Sequence, residues 1–148
     1  MNDEQRTLKR RRNMKKTILL LITILFSFSA TFAVGENLSQ VSTKGLFKVE
    51  MSIPGKTLKV GKNNAEILVR DKNGKEVKGA RISALPLIHQ RSESALVKPK
   101  VVETSEGRYS IENIYIEIPG HWVLKITIRK GNKEDSVTFD FPDVKREN

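Results

Sequence analysis

Cysteine is missing altogether from the 148 residues. Disulfides, thiol nucleophiles, cysteine zinc sites and a lipid-modified cysteine anchor are thereby excluded, and a folded domain here must rest on its core. Histidine is nearly as scarce, with two residues, and tryptophan occurs once. There is no His-Glu-x-x-His, no Gly-x-Ser-x-Gly and no glycine-rich phosphate loop, so the motifs of metallohydrolysis, acyl transfer and nucleotide binding are absent. Beyond residue 33 no stretch repeats its apolar residues at helical spacing. These absences predict a non-enzymatic domain built from strands.

What the chain does have begins with a basic start. Arg6, Lys9, Arg10, Arg11, Arg12, Lys15 and Lys16 precede an apolar run from Thr17, and no charge returns until Glu36. A basic region, an apolar region and small residues before a cut are the parts of a secretory signal peptide. Thr31 and Ala33 suit the −3 and −1 positions, which predicts cleavage after Ala33. Met14-Lys15-Lys16 resembles a bacterial signal start, so Met1 and Met14 both stand as start sites. The uncharged stretch also matches the roughly 20 residues of a membrane-spanning helix, and the alternative reading of residues 1–33 is an uncleaved anchor with its basic end inside. The small-residue end favours cleavage. Both readings place the rest of the chain outside the cytoplasmic membrane, in the periplasm or at the cell surface, and confine membrane contact to the N-terminal segment if it stays uncleaved.

The signal also accounts for much of the net charge of +10. Seven of the 27 basic and two of the 17 acidic residues lie ahead of Ala33, which leaves a net charge of +5 for the remainder. Those charges are scattered along strands, a solvated mixed surface rather than a nucleic-acid footprint.

Residues 34–45 are polar and aperiodic and read as a flexible leader. From Leu46 the pattern alternates. Phe47, Val49, Met51 and Ile53 share one face of a strand, with Lys48, Glu50 and Ser52 on the other. Ala65, Ile67 and Val69 follow in the same way up to Asp71-Lys72-Asn73-Gly74-Lys75, where Asn-Gly offers the positive φ of a tight hairpin. The partner strand is expected from Val77, with a bulge at Gly79, and Pro86 ends its pairing or confines it to an edge. Residues 87–98 carry no periodicity. Short strands are expected around Val101-Val102 and Tyr109–Ile111. The strongest strand runs from His121 to Lys130, with Trp122, Leu124, Ile126 and Ile128 on one face and His121 and Val123 on the other. Gly131-Asn132 turns it into Val137, Phe139 and Phe141. About seven short strands and no helix predict an all-β, immunoglobulin-like β-sandwich over residues 46–142, followed by a polar tail at 143–148.

The run Val69–Ala80, followed by Glu106-Gly107-Arg108-Tyr109 and then Pro119-Gly120-His121-Trp122-Val123-Leu124, resembles the YtkA-like domains, which are related to the FixH proteins of bacterial envelopes. The resemblance spans about Phe47 to Phe141. Its hallmarks are fold-bearing: Gly74, Gly107, Gly120, Tyr109 and Trp122. It implies a non-enzymatic extracytoplasmic module with an envelope or membrane protein as partner, and for some relatives a link with copper handling. Metal-associated relatives often carry methionines and histidine after the Gly-Ala strand. Here Leu85–Gln90 keeps His89 and has no methionine.

The residues themselves call for no cofactor, and copper enters only through the resemblance. A copper site wants two or three imidazole or thioether donors converging. His89 and His121 are the candidate ligands, whereas Met51 falls on a core face and is expected to pack. The function expected is an exported binding or assembly module that acts through protein contacts. A copper-handling accessory domain and a purely structural spacer are the alternatives.

Overall fold

The computed structural model describes residues 37–89 and 97–146, and the statements below concern them. The expected cleavage at Ala33 and the anchor reading lie outside the described residues. Among the described residues no helix is long and apolar enough to cross a membrane.

Eight strands form: β1 (Leu38–Val41), β2 (Phe47–Ser52), β3 (Gly61–Asp71), β4 (Arg81–Ile88), β5 (Lys100–Ser105), β6 (Arg108–Ile116), β7 (Gly120–Lys130) and β8 (Lys133–Val144). One sheet has the order β1-β2-β3-β6-β5 and the other β4-β7-β8, with every pairing antiparallel. The period-two patterns explain why. Phe47, Val49 and Met51 of β2 bury one face, as do Trp122, Leu124, Ile126 and Ile128 of β7 and Val137, Phe139 and Phe141 of β8. All join one core shared by the two sheets, in the manner of a β-sandwich. Burying each such side chain contributes about 1.5–3 kcal/mol. Trp122 is the largest of them, and its indole nitrogen donates to the Ile118 carbonyl at 2.9 Å, so no polar group is stranded by its burial.

Several local readings change. Leu38–Val41, inside the stretch read as a leader, pairs with β2 as an edge strand of four residues. It shows one half-buried residue and three exposed ones, too little burial for alternation to appear. The Asn73-Gly74 turn is tight, with Gly74 at φ +80°, but it does not join paired neighbours. After an isolated bridge between Arg70 and Glu76, the chain crosses from the first sheet to the second, and β4 begins only at Arg81. Gly79, expected as a bulge within a strand, lies in that crossing at φ +61°. Pro86 sits inside β4 opposite Leu124. Because β4 is an edge strand, the missing N–H of proline costs no ladder bond, and the strand continues to Ile88, two residues into the stretch read as irregular.

The strand ends define two poles. The crossing 72–80 and the turns 106–107 and 131–132 gather at one, called here the lysine pole. At the other lie the end of β4, the start of β7 and the end of β8, called here the histidine pole.

Candidate functional site

Strands β7 and β8 of the smaller sheet, and the residue just past the end of β4, each bring one donor side chain to the histidine pole. On β7 the inward parity of Trp122 and Leu124 turns His121 and Val123 outward. On β8 the inward parity of Phe139 and Phe141 turns Asp140 outward, opposite Val123. Beyond the last register pair, Ile88 with Trp122, the His89 amide donates to the His121 carbonyl at 2.9 Å. That bond brings the two histidines side by side. The ladder is also irregular here. Gly120 pairs with Val144 and Trp122 with Phe141, so β8 sets two residues, Pro142 and Asp143, against His121 alone. A bulge of this kind bends a strand and re-aims the side chains around it.

The imidazoles of His89 and His121 stack with centroids 3.9 Å apart and planes 8° from parallel. His121 Nε2 lies 2.5 Å from Asp140 Oδ1. One ligand atom from each of the three residues falls within 4.8 Å of the others. His89 and Asp140 are exposed and free to change rotamer, while His121 is half-buried between them. A bound transition-metal ion needs donors about 2 Å away, hence about 3–3.5 Å from one another. Exposed side chains can close that gap by rotation about their χ angles. The donor set of two imidazoles and a carboxylate suits a borderline divalent ion. Met51 is fully buried in the core and supplies no thioether to it.

No family model, curated protein or solved structure matches this chain. The site is therefore read from its own atoms.

Sequence reasoning named both histidines, 32 positions apart, without bringing them together. It missed Asp140. The signal for Asp140 was present: counting back from the Gly131-Asn132 turn sets Asp140 opposite Val123 and diagonal to His121, within reach of a long side chain. The hallmark residues fall elsewhere and hold the fold. Gly107 has φ +70°, and a Cβ added there would meet the Glu76 Cβ at 2.7 Å. Gly120, at φ +138°, opens β7 at the irregular register. The buried Tyr109 hydroxyl donates to the Val77 carbonyl at 2.6 Å and accepts from the Ala80 amide at 3.0 Å, which pins the crossing between the sheets. Burial raises its pKa; the Ala80 hydrogen bond opposes this, and the nearby Glu103 carboxylate adds to it.

A second buried polar group also belongs to the fold. Asp135, 4% exposed, accepts from Ser42 Oγ at 2.6 Å and from the amides of Ser136, Lys44 and Leu46 at 2.8, 2.9 and 3.3 Å. Burial pushes its carboxyl upward, and these hydrogen bonds outweigh that and hold it below the usual carboxylate range. Among the described residues no buried side-chain polar atom lacks a partner.

Proposed function

We propose that this is an exported, non-enzymatic metal-binding accessory domain that holds a divalent transition-metal ion, copper(II) foremost, on His89, His121 and Asp140. The observation that carries the reading is the convergence of those three side chains on one exposed sheet face. For a site of nitrogen and oxygen donors, copper(II) binds more tightly than the other first-row divalent ions. Three protein donors leave a coordination position toward solvent, so such a site takes up and gives up its ion without unfolding. The ion supplies charge and exchangeable coordination; the chain orients the donors through the β4–β7 and β7–β8 registers.

The strand order supports an immunoglobulin-like assignment for the sandwich. Leaving β1 aside, β2-β3-β6-β5 facing β4-β7-β8 reproduces the A-B-E-D and C-F-G sheets of constant-type immunoglobulin domains. The resemblance to YtkA-like and FixH-related envelope domains, and the basic and apolar N-terminal segment, support placement outside the cytoplasmic membrane. A protein partner is favoured by a separate observation. Tyr115 and Ile118, both large and exposed, lie at and just beyond the end of β6 on the histidine pole, where a protein that hands over or receives the ion would dock.

A copper(II) titration of the purified protein, followed by electron paramagnetic resonance, tests the metal reading. One equivalent bound with two nitrogen ligands is the expected result, and His89→Ala or His121→Ala should weaken binding by about 100-fold or more. Absence of binding at micromolar copper, or an unchanged signal in the double variant, would sink it.

A further inference from the structure

The opposite pole carries a different set of charges, independent of the metal reading. In the β7–β8 hairpin, Lys130 and Lys133 are directly opposite each other across the Gly131-Asn132 turn. One register step further in, Arg129 faces Arg81 on one side and Glu134 on the other. Like charges directly opposite on a sheet repel. Glu134 relieves Arg129 by an ion pair, but among the described residues neither Lys130 nor Lys133 is ion-paired to a carboxylate. Lys130 only touches the Gly79 carbonyl, at 3.4 Å.

These two lysines share the parity of Ile128 and of buried Asp135, so they overhang the open end of the core. There they line a cleft of about 550 Å³ together with Lys75 and Lys78, with Phe47 and Val77 at its buried floor. Its volume is that of a small-molecule site. Three carboxylates also line it, and they differ in availability. Asp71 Oδ1 accepts from the amides of Asn73 and Lys75 at 2.8 and 3.0 Å, while Glu76 and Glu106 stay exposed. The cationic lining is all lysine. Ammonium groups act as flexible point charges and bind phosphate well, whereas planar carboxylates are matched by the guanidinium fork.

We propose that the lysine-pole cleft is a binding site for a soluble, multivalent phosphate anion, held by Lys75, Lys78, Lys130 and Lys133. The repulsion between Lys130 and Lys133 is relieved when the anion sits between them. Its concave shape suits a compact soluble anion better than a flat bilayer surface.

Inorganic tripolyphosphate is the probe, added to the purified protein at low ionic strength and followed by calorimetry and amide chemical shifts. Expected are saturable binding, shifts confined to residues around 72–80 and 130–133, and steep weakening with added salt. K130Q/K133Q should bind about tenfold more weakly. That variant loses a repulsion, so it should melt no lower than the parent, and K75Q/K78Q tests the other side of the cleft on loop residues. No binding at millimolar tripolyphosphate, or undiminished binding in both double variants, would overturn the proposal. So would equal affinity for polyglutamate, which would make the surface a site for acidic proteins. Binding to phosphatidylglycerol vesicles but not to tripolyphosphate would overturn it in favour of a lipid headgroup.

Discussion

At the lysine pole the buried polar groups are fastened to backbone, whereas at the histidine pole the conspicuous polar groups touch one another. Asp135 gathers three amides and a hydroxyl, and Tyr109 ties down the crossing between sheets. His121 and Asp140 meet each other, and His89 stacks on His121. A side chain that satisfies buried backbone is needed by the fold, and its removal leaves orphaned donors. Side chains engaged with each other on an exposed face are not so needed. The comparison separates residues kept for architecture from residues open to a ligand.

That separation can be broken by measuring stability, and the largest effect is expected at Asp135. Asp135→Ala strands the Ser42 hydroxyl and the amides around it and should cost about 3 kcal/mol, read as a lowered urea midpoint at neutral pH. Its pH signature has a definite sign. The folded carboxyl lies below its unfolded value, so its stabilisation is fully present above about pH 4 and is lost as pH falls through the lower folded value. The parent should therefore lose stability on acidification in a window where the Asp135→Ala curve is flatter. Parallel acid limbs would show that the carboxylate is not responsible.

Gly107→Ala comes next. The left-handed backbone and the 2.7 Å approach to Glu76 predict a loss of about 2 kcal/mol, visible in thermal melting. Tyr109→Phe keeps the ring and removes the hydroxyl that bridges Val77 and Ala80, for a loss of about 1–2 kcal/mol. The smallest effect belongs to the histidine pole: His89→Ala and His121→Ala should alter stability by no more than about 0.5 kcal/mol while weakening copper binding by about 100-fold or more. If either variant melts far below the parent, the contrast between the poles fails and that histidine is architectural.

Much of the architecture was legible because period-two alternation is a direct readout of a half-buried strand. The faces of β2, β7 and β8 follow from Phe47–Ile53, Trp122–Ile128 and Val137–Phe141 without further information. The partnering of strands was less so. Asn73-Gly74 offers the same local signal whether the chain folds back on its neighbour or crosses to a second sheet, and only the burial of Tyr109 and the closeness of Gly107 to Glu76 distinguish the two. β1 escaped because a four-residue edge strand with three exposed positions has no pattern to show. The candidate site was legible as single residues and illegible as a cluster. His89 and His121 meet through the β4–β7 register, a long-range pairing fixed by tertiary packing. Asp140 looked like one more solvent-facing carboxylate until the β7–β8 register set it diagonal to His121.

The prolines have a consequence for how this domain meets other molecules. Pro86 and Pro142 lie in the two outer strands of the smaller sheet, toward the histidine pole, while the other end of β8 is covered by the 42–46 segment through the hydrogen bond from the Thr43 amide to Ser136. An incoming strand would find interrupted or occupied backbone along these margins. Sheet extension by a partner is thus disfavoured at the histidine-pole ends of β4 and β8, beside the candidate site. Whatever approaches the histidines must engage their side chains directly, and recognition there is a matter of coordination and surface shape rather than of shared main-chain ladders.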